Sequence, residues 1–453
     1  MANSSAIAEP GAVDVGRRAR KRIGRRALAV WDPPADRADP IAVLERQAAT
    51  RVPQLVPIRY ARMAAGQFPF LRGAPAIMAA DLAASPTTGL TVQLCGDAHL
   101  SNFGLFASPE RALVFDVNDF DETLPGPFEW DVKRLAASIA VAARANGFAD
   151  TDAETAVGAA ARAYRETMIR LAGLGELAVW YERIDADQLA ALVRKPKRRK
   201  GVEQALAEAR ARTNLQALGK LTEPDAEGVP RIRHRPPLLI PIEQIDAETI
   251  RRVFSDYRRT LAEERRVLLD RHEMLDMAVK VVGVGSVGTR CFIVLLAGRM
   301  TGDPLFLQVK EAEPSVLAPH TAPSRFRNQG HRVVHGQRLT QAASDIFLGW
   351  ATGADGRHYY WRQLRDMKGS AVIEEMSRAY LRDYSALCGR TLARAHARSG
   401  DRVAIAAYLG SSDTFDRAMI DFAVAYADQT ALDHRTLLAA IESGRVEVAA
   451  KAY

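Results

Sequence analysis

The spacing of apolar residues divides the chain into helical and strand-forming stretches. Where apolar side chains recur at helical intervals we predict helices, most clearly over 131–183, 246–271, 330–344 and 380–400. Short β-branched and aromatic runs predict strands within 91–106, 111–122, 277–298, 304–312 and 358–364. This mixture predicts an α+β protein that has a helical layer and, in the second half of the chain, a β-rich block.

The remaining segments are marked by proline and by polar runs. The helical spacing of 41–63 is interrupted by Pro53 and Pro57, and the residues before it are expected to be an irregular arm ordered by docking. The predicted organisation is an N-terminal basic arm with a docking helix (1–60), a unit of strand ends and helices (61–183), an insertion (184–275), a β-rich unit (276–370) and C-terminal helices (371–453).

The charge of the chain is positive but unevenly distributed. Its 453 residues are 48% hydrophobic and 26% charged, which is ordinary for a globular protein. Lys and Arg number 62 against 54 Asp and Glu, a net charge of +8. Much of the excess lies in 17–26 and 194–200, which we expect to be solvated, mobile segments. The alternative is a contact with nucleic acid, acidic lipid or another polyanion.

Cysteine content and hydropathy bear on the compartment. Cys95, Cys291 and Cys388 form no closely spaced pair, which favours a reduced, cytoplasmic environment. The N-terminus has no apolar segment of the kind that directs export, and no apolar run approaches the ~18 residues of a membrane span. We therefore expect no membrane association.

Polar residues cluster at two strand ends in the first half of the chain. Asp97 is followed five positions later by Asn102, in a loop between two predicted strands. A phosphotransferase needs a carboxylate to accept the proton of the substrate hydroxyl and oxygen ligands for Mg²⁺. Asp119, with Asp116 and Asp121 as alternatives, ends the next apolar strand and would complete a magnesium site with Asn102. The simpler interpretation is a polar turn.

A second cluster lies in the β-rich block. Gly283, Gly285 and Gly288 give the spacing GxGxxG, with Ser286 between the last two, and the aliphatic run 291–296 follows. A dinucleotide-binding turn would open a helix, whereas this run predicts a strand, so we expect a hairpin that covers phosphates. Lys310, in the next apolar strand, would hold the nucleotide phosphates. Its simpler interpretation is a surface lysine on an edge strand.

The residues resemble those of known families. GDAHLSN (96–102) resembles the GDxHxxN loop of aminoglycoside and choline phosphotransferases, and DFDETLPGPFEWD (119–131) resembles their metal-binding segment, with the same gap of 12 from Asp119 to Asp131. TLARAHARSGD (391–401) resembles the helix that precedes their catalytic loop. From 56 to 370 the chain is also similar to an uncharacterised bacterial family, domain of unknown function 2252.

The order of the motifs differs from that of ordinary kinases. There the glycine-rich loop and lysine come first, whereas here Asp97 precedes Gly283. The resemblance therefore implies a circularly permuted, two-lobed protein-kinase-like fold, with the small β-rich lobe in the second half and the helix ending near Gly400 beside the strand that leads to Asp97. Permutation is physically acceptable because catalysis depends on where side chains meet in space.

The resemblance implies an ATP- and Mg²⁺-dependent phosphotransferase that acts on a hydroxyl of a small molecule, with Asp97 as the base. One departure bears on activity: the helix after Lys310 offers Gln329, Gln337 and Gln341 but no clear glutamate to pair with the lysine. A nucleotide-binding module without turnover is therefore an alternative. A nucleic-acid-binding protein is a second one, although a nucleic-acid partner is not expected. Arg72 is expected to bind phosphate or to pair with a carboxylate.

Overall fold

The fold is seen in a computed structural model that describes residues 10–187, 196–236, 239–241, 247–281, 285, 287–300, 303–364 and 367–450. The α-helices are α1 (Pro10–Arg22), α2 (Pro40–Ala48), α3 (Val56–Ala64), α4 (Gln67–Gly73), α5 (Pro75–Ala83), α6 (Phe128–Ala145), α7 (Asp150–Ala172), α8 (Glu176–Tyr181), α9 (Pro196–Ala211), α10 (Asn214–Leu221), α11 (Ala247–Arg259), α12 (Glu263–Leu269), α13 (Gln329–Thr340), α14 (Arg378–Ala397), α15 (Arg402–Leu409) and α16 (Thr414–Glu442). The strands are β1 (Thr91–Leu94), β2 (Phe103–Ala107), β3 (Leu113–Val117), β4 (Leu124–Pro127), β5 (Thr222–Pro224), β6 (Pro230–Ile232), β7 (Leu239–Pro241), β8 (His272–Lys280), β9 (Cys291–Gly298), β10 (Pro304–Glu311), β11 (Gly349–Thr352) and β12 (His358–Gln363). The predicted mixture of helices and strands is confirmed.

The helical layer is formed by α6, α7, α14 and α16, which pack on one another. Small side chains allow the close approach: a Cβ on Gly389 would lie 2.1 Å from the carbonyl oxygen of Ala160, so α14 and α7 touch there through their backbones. The Phe128 ring stacks on Tyr164 at 6.0 Å within the same core. The Ala-rich composition that predicted helices here therefore also sets how closely they pack.

The β-rich block is one antiparallel sheet in the order β11-β12-β10-β9-β8-β7. Every residue of β10 is buried because the sheet is covered on both faces. Leu305 and Leu307 pack in the same core as Tyr257 of α11, whereas Phe306 packs on the opposite side with Ala217 of α10. Helices and strands from within 184–275 thus belong to this block, which begins before the predicted boundary at residue 276.

Two short antiparallel strand pairs on the helical layer carry the polar strand ends. β1 pairs with β4, and β2 pairs with β3, so the loops 95–102 and 118–123 both connect one pair with the other. Asp131, in the first turn of α6, accepts hydrogen bonds from the backbone N–H groups of Cys95 (2.8 Å) and Gly96 (3.0 Å). Gly96 has φ +87°, and a Cβ there would lie 2.3 Å from the Glu122 carbonyl oxygen, so only glycine fits.

The N-terminal segment is docked on the C-terminal helices. Arg20 Nε donates to the Tyr408 carbonyl at 2.8 Å, and Arg25 Nη1 donates to the Leu409 carbonyl at 2.5 Å. These carbonyls lie at the C-terminal end of α15, where unpaired acceptors attract cations. Residues of the run 17–26 are therefore structural, in contrast to the mobile segment expected. The run 194–200 lies partly outside the described residues. Within the described ranges, no helix is both long and apolar enough to cross a membrane.

Candidate functional site

A cleft of about 1180 Å³ lies where the loops 95–102 and 118–123 face the sheet. Asp97, Asn102 and Asp119 line it from the loops, and Lys310 lines it from β10. Residues from the N-terminal helices and from the loop between β8 and β9 complete the wall. The cleft thus brings together carboxylates, an amide and an ammonium group that are widely separated along the chain.

Asp97 is held at the floor of the cleft by groups from two elements. Arg134 of α6 donates from Nε to Asp97 Oδ1 at 2.7 Å, and the Asn102 side-chain amide donates to the Asp97 carbonyl at 2.7 Å. Burial raises the pKa of the Asp97 carboxyl, and the charge of Arg134 opposes that shift. Asp97 is therefore oriented by its ion pair, and burial makes it a stronger base than an ordinary aspartate.

His99 lies next to Asp97 and is buried, with 4% of its surface exposed. Its Nε2 is 3.7 Å from Asp97 Oδ2. Burial holds the pKa of His99 well below its usual value, with Arg72 and Arg134 adding to the effect, so the imidazole is neutral. Its Nδ1 has no hydrogen-bond partner among the described residues.

Lys310 is buried in the interior of the sheet, with 4% of its side chain exposed, which excludes the edge-strand interpretation. Its Nζ lies 2.5 Å from Asp121 Oδ2 and 3.8 Å from Asp119 Oδ1. Tyr360, opposite Lys310 in β12, donates to Asp121 Oδ1 at 2.6 Å. Burial opposes the ionisation of Asp121, but Lys310 outweighs it and lowers the pKa of that carboxyl. The two groups form a charged pair across the cleft.

Asp116, one of the alternative metal ligands, is directed to the interior instead. Arg394 of α14 donates to both of its carboxylate oxygens, at 2.6 and 2.8 Å, and both side chains are 1% exposed. The Ala342 backbone N–H donates to Asp116 Oδ2 at 2.9 Å. Asp116 does not line the cleft, whereas Asp119 and Asp121 do.

The glycine-rich loop is described in part, since Gly283 and Ser286 lie outside the described residues. Arg51 donates to the Gly285 carbonyl at 3.0 Å, and the Val52 N–H donates to the Gly288 carbonyl at 2.8 Å. Gly288 has φ +93°, and a Cβ there would lie 2.9 Å from Arg51 Cβ. The segment before α3 therefore holds this loop against the cleft, which Gly285 lines.

The helix that follows Lys310 in sequence contributes a buried arginine and no acid to the site. No acidic residue lies in α13. Arg332 is buried in this helix and donates to the carbonyls of Thr123 (2.7 Å) and Asp121 (2.8 Å). Gln329 accepts from Arg332 at 2.7 Å, and Gln341 donates to the Val117 carbonyl at 2.7 Å. α13 thus supports the backbone of the loop that carries Asp121.

Sequence reasoning missed three of these residues: Arg134, Tyr360 and Arg332. A signal existed for Arg134, which follows Asp131 by three positions and so shares its helix face. No local signal existed for Tyr360 or Arg332, because their roles depend on strand register and on helix docking.

The donor set suits a cation that is held only in part by protein. Among the described residues, no group of three or more His, Cys, Asp or Glu side chains could by itself hold a metal ion. Mg²⁺, however, is usually bound through one or two carboxylates, water and substrate phosphates. Asp119 and Asp121, with 32% and 26% of their side chains exposed, and the Asn102 amide all line the cleft and fit that role.

These features define an α+β protein with a charged cleft between its antiparallel sheet and the loops of its helical layer. The chain belongs to the family described as an uncharacterised protein conserved in bacteria (DUF2252), whose family model matches residues 51–440. The matched segment begins at Arg51 and contains every residue discussed above for the cleft. No curated protein and no solved structure matches the chain.

Proposed function

We propose that this protein is an ATP-dependent phosphotransferase that moves the γ-phosphoryl group to a hydroxyl of a small molecule. One observation carries the proposal: Asp97, Asn102, Asp119 and Lys310 line a single cleft, although Lys310 is 189 residues from its partner Asp121. A base, oxygen ligands and a buried ammonium are the parts that phosphoryl transfer requires, since its catalysis is mainly positioning and charge neutralisation.

In the proposed reaction, Asp97 accepts the proton of the acceptor hydroxyl. The acceptor oxygen forms a bond to the γ-phosphorus, and the bond from that phosphorus to the bridging oxygen breaks, so ADP leaves with the electron pair. Lys310 and the loop containing Gly283, Gly285, Ser286 and Gly288 bind the nucleotide phosphates. Asn102 and Asp119, with Asp121 beside them, would hold Mg²⁺, which would supply positive charge to the phosphates.

Lys310 has a double role in this proposal. Its ammonium lies 2.5 Å from Asp121, and its charge acts on that carboxylate more strongly than that of Arg362. Asp119 and Asp121 would also hold a cation, which would supply part of this positive charge. Lys310 would then be available to the nucleotide phosphates.

The kinase-like, circularly permuted architecture is part of the proposal. The end of α14 lies beside β1: the Gln93 N–H donates to Ser399 Oγ at 3.1 Å, and a Cβ on Gly400 would be 2.9 Å from the Thr91 carbonyl oxygen. In the kinase order, the helix at this place runs into the strand that leads to the catalytic loop. The spatial neighbourhood is therefore compatible with kinase chemistry despite the altered chain order.

A nucleotide-binding module without turnover is the second candidate, and the absence of an acid from α13 favours it. The experiment that separates the two measures thermal stabilisation by Mg²⁺ and ATP, together with transfer of labelled γ-phosphate to a panel of alcohols. A ligand at 100 times its Kd stabilises the native state by about 2.7 kcal/mol. We expect both stabilisation and transfer for the wild-type protein.

The Asp97→Asn variant should keep the stabilisation by ATP and lose transfer, because it retains the shape of the side chain but not its basicity. Asp428→Asn is the matched control, since Asp428 is exposed on α16, outside the cleft. Stabilisation without transfer in the wild-type protein would establish the non-catalytic module. No stabilisation by ATP would refute both candidates.

A further inference from the structure

Four of the six described arginines that line the cleft come from one stretch of the chain, whereas Arg235, Arg362, Lys280 and Lys310 line it from elsewhere. The residues between 38 and 80 that line it include four arginines and no acid: Arg46, Arg51, Arg62 and Arg72. The acids that line it come from two other segments: Asp97, Asp119, Asp121, Glu122, Glu311 and Glu313. One wall, formed by α2 to α5 and their connections, is therefore basic, and we call it the arginine wall.

Arg72, in the last turn of α4, is the part of this wall closest to the proposed chemistry. Its positive charge acts on Asp97, opposing the rise in the pKa of Asp97 that burial causes, and it also acts on His99. Its guanidinium lies over the Phe68 ring at 5.9 Å. Burial lowers the pKa of Arg72 itself. Arg72 thus combines partial burial with proximity to the base.

Arg72 has no ion-pair partner within the described residues, and its Nε is buried without a hydrogen bond there. Arg72 is half-buried, and the charges of Glu374 and Asp97 act on it without forming an ion pair. Arginine is well suited to bind phosphate through two parallel hydrogen bonds. Arg72 was expected either to bind phosphate or to pair with a carboxylate, and no carboxylate pairs with it among the described residues. The unpaired group points to an anionic ligand.

The nucleotide does not account for the whole wall. Arg51 is already bound to the Gly285 and Val287 carbonyls, and Lys310, which lies on the sheet, serves the phosphates of ATP in the proposed function. Pockets for one drug-sized ligand reach about 1,000 Å³, and the cleft, at about 1180 Å³, exceeds that size. It has room for a nucleotide and a second small ligand beside Arg46, Arg62 and Arg72.

We propose that the acceptor is a small alcohol that already carries a phosphate group, and that Arg72, with Arg46 and Arg62, binds that phosphate beside Asp97. The inference rests on the proposed function and specifies its substrate class. The free hydroxyl of the acceptor loses its proton to Asp97 and gains the γ-phosphoryl group of ATP. ADP leaves, and the product carries two phosphate groups. A cationic acceptor such as an aminoglycoside would be repelled by the same wall.

The test uses three small alcohols as probes: glycerol phosphate, glycerol and the cationic choline. Each is titrated by calorimetry into the full chain after the nucleotide site has been filled with Mg²⁺ and a non-hydrolysable ATP analogue. We expect glycerol phosphate to bind and the other two to bind far more weakly. Arg72→Gln should weaken glycerol phosphate binding by about 10- to 100-fold, the loss of a charge-assisted hydrogen bond, and Arg72→Lys should restore part of it.

Two controls make the outcome decisive. Arg390→Gln changes an exposed arginine of α14 outside the cleft and should leave all binding unchanged. The Arg72→Gln protein should still bind the ATP analogue, which also shows that it is folded. Equal binding of the three alcohols, or an unchanged affinity in Arg72→Gln, would overturn this inference alone. Failure of the analogue to bind the wild-type protein would overturn the proposed function as well.

Discussion

Replacing Lys310 by methionine should destabilise the fold by about 3 kcal/mol. The change removes the ammonium that lies 2.5 Å from Asp121 and 3.8 Å from Asp119, but keeps the length of the side chain. Breaking a buried ion pair by removing one partner costs about 3–5 kcal/mol, because the other charge is left uncompensated. The lower end applies here, since Asp121 is 26% exposed and keeps its hydrogen bond from Tyr360.

A double-mutant cycle isolates the pair. In Lys310→Met/Asp121→Asn the uncompensated charge of Asp121 is gone, so we expect the double variant to recover about 2 kcal/mol relative to the sum of the two single changes. Recovery should be incomplete, because Asp119 remains without the ammonium. The free energy of unfolding is measured by guanidinium denaturation for the four proteins.

Lys220→Met is the matched control, because Lys220 is exposed on α10 and should change stability by less than about 0.5 kcal/mol. Stabilisation by Mg²⁺ and ATP should be lost in Lys310→Met and kept in Lys220→Met. Purely additive effects of the Lys310 and Asp121 substitutions would refute the ion pair. A stable Lys310→Met protein that still binds ATP would refute both roles of the lysine.

Two further predictions concern carboxylates near the cleft. Burial raises the pKa of Glu122 from 4.5 to about 7, so the folded state holds the proton more tightly, and wild-type stability should fall as pH rises through 7. The free energy of unfolding should therefore be measured at pH 5 and pH 8 for the wild type and for Glu122→Gln. From pH 5 to pH 8 the variant should become more stable relative to the wild type by up to about 3 kcal/mol. An equal difference between the two proteins at both pH values would contradict this. Asp116→Ala should cost about 3–5 kcal/mol by leaving Arg394 buried without an anion, yet keep the calorimetric Kd for Mg²⁺ and ATP within about twofold. A loss of nucleotide binding without loss of stability would instead make Asp116 the metal ligand.

Local sequence patterns were sufficient to predict the helices and strands whose apolar residues recur at regular spacing. The Ala-rich stretch from 131 predicts helices, and α6 and α7 occupy it, because their many alanines allow burial on several sides. The apolar run around Lys310 predicts a strand, and the structure buries all of it as β10. The density of acids after 115 predicts a polar strand end, and three of those acids, Asp119, Asp121 and Glu122, line the cleft.

Contacts between distant segments could not be read from the sequence. Tyr360 reaches Asp121 because β12 pairs with β10 in a register that places it opposite Lys310, and no local pattern fixes that register. Asp116 and Asp121 look equivalent in the sequence. Side chains alternate along β3, and Asp116 within this strand faces Arg394 in the interior, whereas Asp121 lies beyond the end of the strand. The run 17–26 is predicted to be solvated because Lys and Arg are usually exposed at the surface. The carbonyls of α15 that accept hydrogen bonds from it are nearly 400 positions away in the sequence.

Lys310 is anchored although α13 contains no acid, because Asp121 supplies a negative charge 2.5 Å from its ammonium. In the proposed function Asp121 lies between the lysine and the metal, so the position of its backbone matters. Arg332 of α13 holds that backbone through the Asp121 carbonyl. The helix therefore acts on the site through the loop and not through the lysine. The position of Lys310 therefore depends on the loop that carries Asp121. Arg332→Gln should weaken ATP binding, although Arg332 lies outside the lining of the cleft.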